Sequence, residues 1–167
     1  MPVRDILKNF LTSRTSWGKF VAPVTGRTIH FEQMADEVFS SKLLGEGLAF
    51  IPHDGRLCAP ADGEVTKVSS AGRIIRIDGK DGISYLLQVG WGDDAEYHID
   101  MVTVVQKGTY LKSGEIIGTF SEEKVKAMGA NGVIILSVTR LPAKRKLAFT
   151  GPEYVVAGKD EIMSIEN

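Results

Sequence analysis

The chain has 167 residues, the length of one ordinary domain with a full hydrophobic core. Its formal net charge of −1 gives no general attraction to nucleic acid, so we predict no nucleic-acid partner. The one cysteine, Cys58, excludes an internal disulfide and a thiolate-rich zinc site, and we predict neither a metal nor a cofactor. Because no apolar run is long enough to span a membrane and no secretory signal is visible, we expect a cytoplasmic protein.

The first residues differ in pattern from the rest of the chain. Apolar side chains recur at helical spacing over residues 3–11, and basic residues lie between them. This pattern predicts a short amphipathic helix within an N-terminal tail of residues 1–19. Two interpretations stay open for this helix, which are packing on its own domain and weak contact of residues 3–11 with an anionic membrane surface.

Residues 20–167 have the pattern of an all-β domain with short helices. Short runs rich in Val, Ile and Leu alternate there with Gly, Pro, Asp and Ser, which is typical of an antiparallel sandwich or barrel. Strands are predicted over residues 26–31, 48–51, 63–68, 74–78, 84–89, 116–120, 133–138, 154–157 and 162–165. Helices are predicted over residues 32–39 and 122–128, and Ser121 is placed to cap the second.

A short frame occurs twice in the chain. The run Ala22-Pro23-Val24-Thr25-Gly26 recurs as Ala59-Pro60-Ala61-Asp62-Gly63, and each copy leads into a predicted strand. Proline is suited to the start of a strand, and the glycine three residues later permits a turn or a close backbone approach. The repeat therefore predicts a β domain with internally duplicated halves.

Further segments follow these frames in an order and spacing that identify a family. They are Asp36-Glu37-Val38-Phe39, the run from Lys42 to Ala49, the run from Asp81 to Gly90, and Lys107-Gly108 with Lys112-Ser113-Gly114. From residue 20 onward the chain resembles the glucose-type IIA component of the bacterial phosphoenolpyruvate-dependent sugar phosphotransferase system. The resemblance implies an antiparallel β-sandwich with duplicated halves and a role in sugar transport and its regulation. It also favours membrane contact by the N-terminal helix.

In that family a histidine accepts a phosphoryl group from the phosphocarrier protein HPr and passes it to a IIB domain. The nucleophile lies in a V-H-x-G-I-D-T motif, and a second histidine, in an H-A-x-x-I motif, donates a hydrogen bond to the phosphoryl group. Here the first motif reads Leu87-Gln88-Val89-Gly90-Trp91-Gly92-Asp93, and the second reads Arg73-Ile74-Ile75-Arg76-Ile77. Gln88 and Arg73 therefore stand at the two histidine positions.

Neither replacement is suited to accept a phosphoryl group. A carboxamide has no basic lone pair, and a guanidinium stays protonated at neutral pH. The chain has no histidine between His53 and His98, so this conclusion does not depend on the alignment register. We predict a site that has lost phosphoryl transfer, which makes an enzymatic role uncertain. The alternative is an active phosphocarrier that uses a displaced nucleophile such as His98.

Two binding roles are predicted for the altered site. Arg73 is a candidate anion ligand, because guanidinium pairs with phosphate or carboxylate, and a surface salt bridge is the alternative. Six apolar residues form a candidate docking rim, with core packing as the alternative for some of them. The rim consists of Val38, Phe39, Leu43, Leu44, Leu86 and Trp91. The predicted partners are HPr, a IIB domain, a transporter or a metabolic enzyme, met in the cytoplasm or at the inner face of the membrane.

Overall fold

The computed structural model describes residues 18–41, 43–92 and 99–167. The predicted helix of residues 3–11 and the candidate nucleophile His98 lie outside these residues. The strands are β1 (Lys19–Val21), β2 (Gly26–His30), β3 (Glu46–Pro52), β4 (Arg56–Cys58), β5 (Gly63–Val68), β6 (Ile74–Asp78), β7 (Ser84–Val89), β8 (Val102–Thr103), β9 (Tyr110–Leu111), β10 (Ile116–Thr119), β11 (Ile134–Arg140), β12 (Lys146–Phe149), β13 (Tyr154–Val155) and β14 (Glu161–Glu166). The helices are α1 (Glu37–Ser40) and α2 (Glu122–Ala127), and 3-10 turns occupy Phe31–Gln33, Lys80–Gly82 and Gly129–Asn131.

The strands form three antiparallel sheets. The largest has the order β13-β2-β3-β11-β7-β6-β5-β9, and the two smaller ones have the orders β1-β14-β12 and β4-β10-β8. The all-β prediction is thus confirmed. Of the two predicted architectures, sandwich and barrel, the described strands form an open sandwich and no closed barrel. Within the described part of the chain, no helix has the length and apolar composition needed to cross a membrane.

The two Ala-Pro frames meet in space and exchange backbone hydrogen bonds. The N–H of Val21, just before the first frame, donates to the carbonyl of Pro60 in the second at 2.8 Å. In return the N–H of Cys58, just before the second frame, donates to the carbonyl of Pro23 at 2.7 Å. Each frame therefore connects a strand of a small sheet to a strand of the large sheet. The first frame connects β1 to β2, and the second connects β4 to β5.

The sheets repeat this internal symmetry. The strand β13 lies beside β2 with Tyr154 opposite Arg27, and β9 lies beside β5 with Tyr110 opposite Glu64. In the large sheet, the strands β13, β2, β3 and β11 of one half correspond to β9, β5, β6 and β7 of the other half. The two small sheets correspond to each other in the same way. The predicted duplication is confirmed, and it places β7 and β11 side by side at the centre of the large sheet.

Buried residues form two apolar cores. The main core lies between the large sheet and the two small sheets, and it receives the inward side chains Tyr85, Leu87 and Val89 of β7. The second core lies on the other face of the large sheet, where residues 31–39 cover β3 and β11. Its buried members are Phe31, Phe39, Ala49, Val133 and Ile135. The alternation of side chains along each strand thus gives both faces of the central strands an apolar neighbour.

The helix predicted over residues 32–39 is wrong as one element. A 3-10 turn ends at Gln33, Met34 has an extended backbone with φ −75° and ψ 143°, and α1 begins only after Asp36. The side chain of Asp36 accepts a hydrogen bond from the backbone N–H of Val38 and so starts a new helix at that point. The second predicted helix is confirmed, with Ser121 as its cap.

Gly47 offers a test of how tightly β3 and β11 pack. A Cβ atom on Gly47 would overlap the backbone carbonyl oxygen of Leu136, whereas a Cβ on Gly79 would meet only ordinary contacts of 3.4 Å or more. We expect Gly47→Ala to lower the free energy of unfolding by about 3 kcal/mol, because two central strands must separate. Gly79→Ala, the control, is expected to change it by less than about 1 kcal/mol. Urea unfolding measures both, and equal effects would contradict the close packing.

Candidate functional site

Gln88 and Arg73, which the resemblance aligns with the two family histidines, lie together beside the end of the central strand β7. Gln88 points to the face opposite the main core, between Ile74 of β6 and Ile135 of β11. Arg73 directly precedes β6, and its carbonyl accepts the N–H of Val89 at 2.9 Å. Both side chains are 8% exposed. Arg73 is therefore largely buried and does not lie on the open surface.

One backbone oxygen joins the two replacements. The carbonyl of Gly90 accepts a hydrogen bond from Nη1 of Arg73 and another from Nε2 of Gln88, each at 3.2 Å. Gly90 has a φ of 80°, a left-handed conformation that glycine adopts without strain, so the chain turns sharply after the strand. The amide nitrogen of Gln88 is thus bound within the protein.

Asp36 connects the segment over the second core to the loop after β7. Its Oδ2 accepts the indole Nε1–H of Trp91 at 3.1 Å, and its Oδ1 accepts the Val38 N–H at 3.0 Å. The indole also packs against the ring of Phe39 with the centroids 4.9 Å apart and the planes at 62°. One carboxylate therefore fixes both the start of α1 and the orientation of Trp91. Its position before an apolar run is the usual sequence signal of a helix cap, and sequence reasoning missed it.

The six predicted rim residues differ in what they offer a partner. Leu43 is 77% exposed, and Val38, Leu44, Leu86 and Trp91 are half-buried. Phe39 was expected at the rim, but it is only 1% exposed because it packs against Phe31 and Trp91 in the second core. The accessible apolar surface therefore excludes Phe39.

The described histidines lie away from this site. His30 is level with Leu87 through the pairings of β2 with β3, β3 with β11 and β11 with β7. Three strand spacings separate them, roughly 14 Å. His53 follows β3 and packs near Tyr154 at the edge of the large sheet. Across residues 18–41, 43–92 and 99–167 there is no group of three His, Cys, Asp or Glu side chains that could hold a metal ion.

Cys58 lies in β4 and is buried. Burial raises the pKa of its thiol, and the nearby Arg56 guanidinium opposes this shift only in part. Cys58 is therefore mostly protonated at neutral pH and is not an activated nucleophile.

A family model matches residues 18–143, which include both substituted positions, and its description is the phosphoenolpyruvate-dependent sugar phosphotransferase system, EIIA 1. The chain belongs to this family. The glucose-specific EIIA component of Bacillus cereus is 27% identical to it over 161 residues, which cover 93% of this chain and 94% of that protein. The glucosamine-specific EIICBA component of Bacillus subtilis is 32% identical over 120 residues, or 68% of this chain and 18% of that much longer protein.

A solved structure agrees with this assignment at the level of the fold. Glucose permease IIA from Mycoplasma capricolum superposes with a TM-score of 0.77 and 22% identity, over 87% of this chain and 94% of that chain. The resemblance to glucose-type IIA components and the sandwich architecture that it implied are confirmed. The chain is a IIA component of the sugar phosphotransferase class.

Removing the carboxylate of Asp36 tests its double role. We expect Asp36→Ala to lower the free energy of unfolding by about 1–2 kcal/mol, because the helix cap and the indole partner are lost together. The NMR signal of the Trp91 indole N–H is expected to shift in the same variant. Asp62→Ala is the control, because Asp62 also binds a backbone N–H, that of Ser113 at 2.8 Å. An indole signal that moves equally in both variants would contradict the assignment.

Proposed function

We propose that this IIA component does not carry the phosphoryl group and acts as a partner-binding regulatory module of the sugar phosphotransferase system. The observation that supports this most is the chemistry of residues 73 and 88. A guanidinium and a carboxamide occupy the two histidine positions of the family, and both are bound to the Gly90 carbonyl. Neither group forms a phosphorylated intermediate at neutral pH.

The docking half of the proposal rests on the surface beside this site. Leu43 projects from the segment between α1 and β3, and Val38, Leu44, Leu86 and Trp91 contribute half-buried apolar area. Exposed apolar area with an aromatic member is typical of protein interfaces. Arg73 adds a candidate ligand for an anionic group carried by a partner.

The relatives suggest which partners this surface meets. Segments similar to this chain make up 18% of the glucosamine-specific EIICBA component of Bacillus subtilis and 22% of the raffinose carrier protein of Pediococcus pentosaceus. They also make up 19% of the lactose permease of Lactobacillus delbrueckii. We therefore propose a transporter or a IIB domain, besides HPr or a metabolic enzyme, as the partner. The domain of residues 20–167 would bind it in the cytoplasm or at the inner face of the membrane, with residues 3–11 adding weak membrane contact.

Phosphorylation tests the loss of the carrier role. After incubation with phosphoenolpyruvate, enzyme I and HPr, we expect the intact mass of this protein to stay unchanged under non-acidic conditions. A variant that carries both Gln88→His and Arg73→His is expected to gain one acid-labile phosphoryl group, because imidazole is nucleophilic near neutral pH.

The controls separate the two halves of the proposal. A histidine-containing IIA protein labelled in parallel shows that the reagents are active. Labelling of the unmodified chain that His98→Ala abolishes would establish a displaced nucleophile and reject the silent site. An unlabelled double variant that keeps its fold would instead argue that HPr no longer docks at this surface.

Leu43 tests the docking surface directly. We expect Leu43→Asp to weaken binding of HPr, measured by calorimetry, by about 10-fold or more, because a charge replaces an interface leucine. Its effect on stability is expected to stay within about 0.5 kcal/mol, since the side chain is solvent-exposed. Val104→Asp is the matched control, because Val104 is 68% exposed but follows β8 in a small sheet. Equal loss of binding in both variants would reject Leu43 as a contact.

A further inference from the structure

A cavity of about 380 Å³ lies beside the second core. Its lining comes from residues within 29–39, from residues within 126–133, and from Ile51 and Trp91. Neither Gln88 nor Arg73 lines it, so it is separate from the substituted positions. Its size falls in the range of pockets that hold small molecules.

The lining of this cavity is mainly apolar and partly aromatic. Ile29, Met34 and Ile51 supply aliphatic and thioether surface, and the indole of Trp91 supplies aromatic surface. Phe39 and Val133 also line the cavity but are almost fully buried. Small-molecule pockets have this composition, with a few polar groups that fix the orientation of the ligand. The indole of Trp91 also favours a cation, because the face of an aromatic ring is electron-rich.

The charged side chains that line the cavity also favour a cationic ligand. Lys126 lines the cavity, but its Nζ is 2.6 Å from Oε1 of Glu122, so its charge is already paired. Asp36 also lines it and forms no ion pair with any residue in the described ranges. Each carboxylate oxygen of Asp36 accepts one hydrogen bond within the protein and has a further lone pair. The unbalanced charge at the cavity is therefore negative.

We propose that this cavity binds a small organic cation, an ammonium group carried on an apolar body. The ammonium donates to the carboxylate of Asp36, and the apolar body packs against Trp91 and the aliphatic wall. The inference does not depend on the proposed function, because it concerns the purified protein alone and residues outside the substituted positions.

The experiment compares three probes of similar shape and different charge. The probe is 2-phenylethylammonium, and its comparators are the neutral 2-phenylethanol and the anionic 3-phenylpropionate. Binding is followed by NMR at the Trp91 indole N–H, which a Trp17→Phe variant distinguishes from the other tryptophan in the chain. We expect a saturable shift with the ammonium at a Kd at least about 10-fold below those of both comparators. Equal affinity for the three probes, or no saturable shift with the ammonium, overturns the proposal.

Two variants assign the binding to this cavity. Asp36→Asn removes the charge and keeps one acceptor oxygen, which can serve either Val38 or Trp91. The ammonium is therefore expected to bind about 10-fold more weakly relative to the alcohol, and the ratio of the two Kd values is the readout. Ile51→Phe fills part of the cavity and is expected to weaken both probes. Asp62→Asn, a carboxylate outside the cavity lining, is expected to bind the ammonium as the unmodified chain does. Unchanged ammonium binding in either cavity variant overturns the assignment.

Discussion

The fold depends on the place where the two Ala-Pro frames cross. Proline has no backbone N–H, so at residues 23 and 60 only the carbonyl can take part in backbone hydrogen bonds. Each carbonyl accepts from the residue just before the other frame, Pro60 from Val21 and Pro23 from Cys58, so the two segments are bonded to each other in both directions. Because each frame joins a small sheet to the large one, this contact fixes how the two halves of the sandwich face each other.

The same symmetry explains why the substituted positions are compatible with a stable fold. The two halves place β7 at the centre of the large sheet, where Leu87 and Val89 enter the main core and Gln88 faces the other way. A change at residue 88 therefore leaves the main core intact. Burying a guanidinium and an amide is costly when their donors lack acceptors, and the Gly90 carbonyl offsets part of this cost by accepting one hydrogen bond from each. The side chains at residues 73 and 88 can thus differ without a change in the packing of the main core.

Sequence patterns were most informative for strands in which apolar and polar residues alternate between clear turn signals. The predicted bounds of β5, β6 and β7 are those observed, since regular alternation and a glycine or turn mark each end. The strands β8 and β9 were missed. Each contains only two residues, which is too short to show an alternation of apolar and polar side chains, and each is a strand only because it pairs with a neighbour. The burial of Phe39 was not predictable either, because it depends on where Trp91 lies after the chain has folded. The shared acceptor at Gly90 is likewise a product of tertiary structure, although the resemblance identified residues 73 and 88.

The short edge strands of the large sheet protect the protein against aggregation at high protein concentration. Both β13 and β9 contain two residues, and each begins with a well-exposed tyrosine, Tyr154 or Tyr110. An unpaired edge invites another chain to add a strand, and a short edge offers too few hydrogen bonds for such an addition to persist. The internal duplication therefore ends the sheet in the same way at both sides. A wide, otherwise extendable sheet is kept from growing into an aggregate.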